Sequence, residues 1–309
     1  MANPAAMKVL VSGGSGLIGA SIVRSLAEDR IDVVQLVRRK ATHSNEVEWD
    51  PRAGEPVGDW SKMDWPKLEG ASAAIHLSGA NVAAHRWTAA YKREIADSRV
   101  GSTRTLVNLL KKLEKPPGSL LCASAIGIYG DRGDEKLTEA SPPGTGFLAE
   151  TCRAWEAEAD AAARAGMRVV HLRTGVVLAR EDGALKKMLP LFRAGLGGRL
   201  GDGRQWMSWI ALSDLVRAVR HILATDSLKG PVNLVGPIPV TNAEFTKALG
   251  RAVHRPAVLP TPAFALRAAL GEMADAALLA STRVIPVKLA ESGFHFDFPE
   301  IGGALRSLV

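Results

Sequence analysis

The sequence predicts an α/β fold: a doubly wound parallel sheet carrying a smaller, mainly helical C-terminal substrate domain. Three observations lead there. A glycine cluster near the N-terminus separates a short apolar strand from an amphipathic helix. Apolar strands and helical segments then alternate as far as Leu172, and beyond Gly175 helical spacing takes over. With 309 residues, 47% of them hydrophobic, the chain can bury a core of that size.

Lys8 to Val11 is a short strand of branched residues, Leu17 to Glu28 has helical spacing, and Val33 to Val37 is a second apolar strand. Together they make one βαβ unit, which requires parallel strands. Ala73 to Leu77 reads as a buried strand, Thr88 to Leu113 as a long helix, Ser119 to Ala123 as a strand, Phe147 to Ala165 as a helix and Arg168 to Leu172 as a strand. Right-handed crossovers put helices on both faces of such a sheet and any ligand at the carboxyl ends of its strands. Leu185 to Phe192 and Asp214 to Ala224 have helical spacing, and Gly195 to Gly203 hold five glycines in nine residues. Val232 to Val235, bounded by Gly230-Pro231 and Gly236-Pro237, is a strand expected to return to the main sheet. Helical segments follow at Asn242 to Val253, Pro262 to Leu270 and Glu272 to Ala280, with Pro256, Pro260 and Pro262 as a stiff linker. The expected division is therefore 7–180 for the sheet domain, whose last strand returns near 231–236, and 181–309 for the smaller part.

Lys and Arg exceed Asp and Glu by 39 to 32, but the cations are scattered and form no arm, which argues against a nucleic-acid partner. Two cysteines, Cys122 and Cys152, lie too far apart for a zinc pair, and no metal site is expected. No apolar run reaches about 18 residues and Met1 to Met7 lack a signal-peptide pattern, so the expectation is a cytoplasmic protein without a membrane partner. Strand-forming sequence opens at Met7, and the six residues before it read as a dispensable extension.

The run Gly13-Gly14-Ser15-Gly16-Leu17-Ile18-Gly19 fits both G-x-x-G-x-x-G and G-x-G-x-x-G. Early glycines allow a tight turn and close approach of a pyrophosphate, Gly19 lets helix pack on strand, and the helix N-terminus supplies amide donors. The motif follows a strand and opens a helix, the context that a dinucleotide-binding Rossmann turn demands. At the end of the second strand, where a NAD site keeps an acidic residue, stand Arg38-Arg39-Lys40. A guanidinium can hold a 2′-phosphate that a carboxylate would repel, so the expected cofactor is NADP(H). Leu77, Ser78 and Gly79, after the buried strand, are small enough to border the adenosine side.

The glycine motif, His76 to Asn81, Ser124-Ala125-Ile126-Gly127-Ile128-Tyr129-Gly130 and Arg173-Thr174-Gly175-Val176-Val177-Leu178, with Trp209-Ile210 and Ser213-Asp214, resemble a short-chain dehydrogenase/reductase of the extended, epimerase-like kind. Arg86-Trp87, Glu94, Ser98-Arg99, Trp155-Glu156, Gly201 to Gln205, Pro286, Gly293-Phe294 and Phe298-Pro299 are similar to an atypical subgroup, the epimerase family proteins related to short-chain dehydrogenase/reductase family 39U. That resemblance implies NADP contacts at Gly13, Gly16, Gly19, Arg38, Arg39, Leu77, Ser78, Glu94, Arg99 and Val177. Ser15, Leu17, Ile18 and Ser124 join them as neighbours. It also implies a small polar carbonyl or sugar-like substrate, and leaves room for a homodimer through the long helices.

The superfamily's Tyr-x-x-x-Lys pair is absent. Aligning Glu156 with the acidic residue that follows that pair puts Leu148 at the tyrosine place and Cys152 at the lysine place. The substitutes on offer for catalysis are Ser124 (with Ala125 an equal alignment candidate), Tyr129, Glu150 and Cys152. The Gly195 to Gly203 loop has the composition of a mobile lid, which Trp209 and Asp214 would brace. Two functions stay open: an NADP-dependent oxidoreductase or epimerase, and an NADP(H)-binding sensor without turnover.

Overall fold

A computed structural model describes residues 7–52 and 63–309; the expectation for the first six residues lies outside them. In chain order the elements are β1 (Lys8–Ser12), α1 (Leu17–Glu28), β2 (Asp32–Val37), β3 (Glu46–Glu48), α2 (Trp65–Leu68), β4 (Ala73–His76), α3 (Ala89–Leu110), β5 (Ser119–Ala125), β6 (Lys136–Leu137) and α4 (Phe147–Asp160). They continue through β7 (Arg168–Thr174), β8 (Val176–Leu178), α5 (Gly183–Arg193), β9 (Trp206–Met207), β10 (Trp209–Ala211), α6 (Leu212–Ala224) and β11 (Gly230–Leu234). The last are β12 (Val240–Thr241), α7 (Asn242–Ala252), α8 (Ala263–Leu270), β13 (Arg283–Val284), α9 (Val287–Glu291) and α10 (Ile301–Leu308).

Seven strands form one parallel sheet in the order β11-β7-β5-β4-β1-β2-β3. The strands are apolar almost throughout because both faces are covered. Alternate side chains serve opposite layers: Val9 and Val11 of β1 pack with Ile22, Leu26 and the α6 residues Leu215, Val219 and Ile222, while Leu10 packs with Leu106, Leu110 and Trp155 of α3 and α4. Strand order reverses between β1 and β4, and the glycine turn sits at that switch point. β11 joins β7 at the far edge.

Differences from the expected elements are local. α4 stops at Asp160, and the alanine-rich stretch expected to prolong it forms a separate 3-10 turn, Ala163–Ala165, before left-handed Gly166. The 272–280 segment holds a π-turn, Ala274–Leu279. β3, three residues of mostly polar sequence, was not expected.

A second core unites α5, α7, α10, β8 and β10 around Leu189, Trp209, Phe245, Leu249 and Leu305. The glycine-rich segment after α5 is fastened to it. Leu200 N–H donates to Asn242 Oδ1, Gly201 N–H to the Thr261 carbonyl, and Gln205 Nε2 to the carbonyls of Leu200 and Leu278. These bonds, which sequence composition does not reveal, tie down a loop expected to be a lid. Asp214 braces a different segment: it accepts from the N–H groups of Asp297 and Phe298, and pairs with Arg217. Among the described residues no helix is long and apolar enough to cross a membrane.

Candidate functional site

Gly13, at φ 77°, turns the chain where a Cβ would lie 2.7 Å from the Leu77 backbone. At Gly19 a Cβ would collide with the Gly13 carbonyl, so helix and turn meet only because residue 19 is glycine. Gly16 differs: its Cβ would meet nothing closer than the Gly13 oxygen at 3.6 Å. The space above it is open, as close approach of a phosphate requires. α1 follows Gly16 without a side-chain cap and without an acidic residue in its first turn, leaving its amide donors to a ligand. Ser15 is exposed there, with Leu17 and Ile18 half-buried. The residues present thus fit a dinucleotide.

Under the switch point, buried His76 joins the two strands, with Nδ1 2.5 Å from Ser12 Oγ and Nε2 3.1 Å from Ser102 Oγ. Burial pushes its pKa down to about 3, so the ring is neutral. Leu77 and Ser78 follow at half-buried positions and Gly79 at an exposed one. Arg99 reaches beneath them from α3. Its guanidinium donates to the carbonyls of Ala80 and Ile95, lies 5.3 Å from the centre of the Trp155 ring, and would be 3.2 Å from a Cβ at Gly79. Burial lowers its pKa. Glu94 is exposed on the same helix.

The two arginines after β2 have different surroundings. Arg39 holds buried Glu46 of β3 through both guanidinium nitrogens, at 2.8 and 2.5 Å, and Glu46 also accepts from Thr42 N–H, Thr42 Oγ1 and His43 N–H. The Arg39 hydrogen bond, above all, draws the Glu46 pKa down to about 2. Arg38 is exposed and has no hydrogen-bond or ion-pair partner among the described residues. Val177, half-buried in β8, pairs with Ile210 of β10.

At the other end, Ser124 Oγ donates to Glu156 Oε1 at 2.6 Å. Arg173 of β7 grips the same carboxylate twice, at 2.8 Å each, and donates to the Tyr129 hydroxyl at 2.9 Å. Tyr129 donates onward to Asn233 Oδ1 at 2.8 Å, and Asn233 N–H donates to Glu139. Burial opposes ionisation of Glu156, but the Arg173 hydrogen bonds and charge outweigh it and its pKa is lowered. Burial raises the Tyr129 phenol although Arg173 opposes the rise. Glu156, Arg173, Asn233 and Glu139 reach the candidate residues from distant parts of the chain, so no local spacing marks them as partners.

Tyr129 is fully buried and belongs to this network, away from solvent. Cys152 is buried beside Ala125 and Ile126, and desolvation takes its thiol up to about 11. Glu150 points to solvent in the first turn of α4. Leu148 packs 3.2 Å from where a Gly127 Cβ would stand, in a cluster with Trp87, Tyr91 and Met273.

A seven-stranded parallel sheet with an open glycine turn at its switch point defines a dinucleotide-binding α/β protein of the Rossmann class. Residues 9–236 match the model of the NAD dependent epimerase/dehydratase family, and the chain belongs to that family. Residues 261–308 match a domain of unknown function, DUF1731. The chain is 45% identical over 297 residues, 96% of each protein, to the epimerase family protein MT2273 of Mycobacterium tuberculosis. It superposes with a TM-score of 0.87 on the crystal structure of the human epimerase family protein SDR39U1 (isoform 2) with NADPH, at 31% identity, covering 98% of this chain and 99% of that one. A nucleoside-diphosphate sugar epimerase from Corynebacterium glutamicum is similar at a TM-score of 0.76 and 34% identity, covering 98% of this chain and 58% of that one.

Proposed function

We propose that this chain is an NADPH-binding oxidoreductase acting on a small carbonyl substrate, with residues 7–180 as the cofactor part and 181–309 as the substrate side. The observation that carries the reading is the open Gly16 turn together with Arg38 just after β2, which has no partner among the described residues: a pyrophosphate place and a cation for a 2′-phosphate. The human relative crystallised with NADPH supports the choice of cofactor. Gly13, Gly16 and the first turn of α1 hold the pyrophosphate, Leu77 and Ser78 flank the adenosine, and Val177 borders the nicotinamide half. When bound, NADPH supplies a hydride; the chain binds, orients and shields it. Dissociation constants for NADPH and NADH test the reading, and tighter binding of NADH would refute it.

A second reading, NADPH binding without turnover, draws support from the commitment of Ser124 and Tyr129 to internal hydrogen bonds. A ligand at a hundredfold excess over its dissociation constant stabilises a fold by about 2.7 kcal/mol without any reaction. NADPH oxidation across a carbonyl panel separates the two.

A further inference from the structure

We propose that the face built by α5, the segment after it and the loop between α7 and α8 is a docking surface for an anionic lipid membrane, which the chain meets as a peripheral protein. The inference does not depend on the cofactor reading. An excess of positive charge and a set of exposed apolar side chains coincide on that face.

Residues 183–201 and 245–271 contain eight lysines and arginines and neither aspartate nor glutamate. The two stretches lie side by side. Leu259 N–H donates to the Gly197 carbonyl at 3.2 Å, Thr261 N–H to that of Arg199 at 2.8 Å, and Arg255 Nε to that of Arg193 at 3.2 Å. Past α7, His254 at φ 55° folds the chain back, and Arg255 N–H donates to the Gly250 carbonyl, which sets Arg255 beside the helix that bears Lys247 and Arg251. Arg193, Arg199, Lys247, Arg251 and Arg255 are exposed, and none pairs with a carboxylate among the described residues. Arg267 does pair, with Asp275, and stands outside that set. The acids that flank the stretches, Asp202 and Glu244, accept from Arg204 N–H and Thr241 N–H in their own turns. Such a face attracts a partner dense in negative charge.

Leu191, Leu196, Val258, Leu259 and Phe264 are exposed on the same two stretches, and among the described residues Ile238 is the one comparably exposed large apolar side chain elsewhere. Leu196 N–H donates to the Leu191 carbonyl, and its neighbour Gly197 carries Leu259. Val258 and Phe264 are each 74% exposed, so they project and do not line a groove. Apolar side chains that project among cations can enter the acyl boundary of a bilayer while the cations meet headgroup phosphates. An acidic peptide would need a groove, and a nucleic-acid backbone would gain nothing from aliphatic Leu196, Val258 and Leu259. The expectation of no membrane partner rested on the lack of a spanning run, which docking of this kind does not require.

The full chain is sedimented with vesicles of phosphatidylcholine alone and with vesicles of phosphatidylcholine and phosphatidylserine. Binding to the mixed vesicles should be at least about tenfold tighter, since each cation near an anionic surface contributes about fivefold, and should be lost at about 0.5 M salt. Reversing two charges, Arg193→Glu with Arg255→Glu, should weaken it by at least about tenfold. Val258→Ser and Phe264→Ser should each weaken it about fivefold, with thermal midpoints within about 2 °C of wild type because both side chains are exposed. A polarity-sensitive dye attached to Val258→Cys, both native cysteines being buried, should brighten on the mixed vesicles. Equal binding to the two kinds of vesicle, or none to either, overturns the proposal. So does full binding by both serine variants, or a dye that stays dim on bound protein, since the apolar side chains then do not insert. Tighter binding to polyglutamate or to a single-stranded oligonucleotide than to the mixed vesicles assigns the face to an acidic protein or to nucleic acid and overturns it as well.

Discussion

Arg39 and Glu46 form a two-pronged ion pair across the turn between β2 and β3, whereas the neighbouring cation Arg38 has no ion-pair or hydrogen-bond partner among the described residues. Arg39 fixes the turn by neutralising a buried carboxylate, and under the proposed NADPH reading Arg38 is the cation that meets the 2′-phosphate. Arg38→Ala should weaken NADPH about tenfold, the worth of one exposed charge-assisted hydrogen bond, and leave NADH unchanged. Arg39→Ala should weaken both cofactors, since Glu46 then stands without its counter-charge in the turn after β2. Calorimetric titration of the two variants with both cofactors checks this; equal loss of NADPH and NADH in Arg38→Ala would contradict it.

Stability should fall with pH in two steps. His76 has a pKa of about 3 in the fold against an ordinary 6.5, so the unfolded chain takes up its proton first and stability is lost as pH drops from 6.5 toward 3. Glu46 is held at about 2 against 4.5; its contribution is complete above 4.5 and disappears as pH falls toward 2. His76→Gln should flatten the upper part of the curve and Glu46→Gln the lower. Thermal midpoints measured from pH 7 to pH 2 read both, and parallel curves for wild type and both variants would show the assignment to be wrong.

Two glycines one helical turn apart should behave oppositely. Gly19→Ala drives a methyl into the Gly13 carbonyl and should destabilise the fold by about 1–3 kcal/mol or prevent folding. Gly16→Ala has room, so its melting temperature should stay within about 2 °C of wild type. On the proposed reading its NADPH affinity should nevertheless drop, because the methyl would stand where the phosphate is proposed to approach. Unchanged affinity in Gly16→Ala would place the phosphate elsewhere.

The Rossmann half of the fold was legible because its signals are local: Gly13 to Gly19 and the strands around them lie within one βαβ unit. The polar network at the other end is assembled from distant segments. Ser124 finds Glu156 32 residues away and Tyr129 finds Asn233 104 residues away, pairings that no periodicity announces. Glu150 and Glu156 look alike in sequence, yet six positions turn a helix by about 240°, which puts one in solvent and the other under the sheet. Likewise the glycines after α5 suggest mobility until Asn242, Thr261 and Leu278 bind that segment.

The network makes its own prediction, because every member is buried and Arg173 has its counter-charge in Glu156. Glu156→Gln would leave the Arg173 guanidinium buried without its counter-charge, at a cost of about 3–5 kcal/mol. Tyr129→Phe keeps the ring but removes one acceptor for Arg173 and one donor for Asn233, costing about 1–3 kcal/mol. Ser124→Ala removes a donor from a carboxylate that keeps both Arg173 bonds, so its cost should be the smallest of the three. All three should retain NADPH affinity, since none of these side chains belongs to the glycine turn or the arginine pair. Urea unfolding of the three variants orders the losses. A Ser124→Ala or Tyr129→Phe protein as stable as wild type but unable to bind NADPH would move that residue out of the scaffold and into the cofactor site.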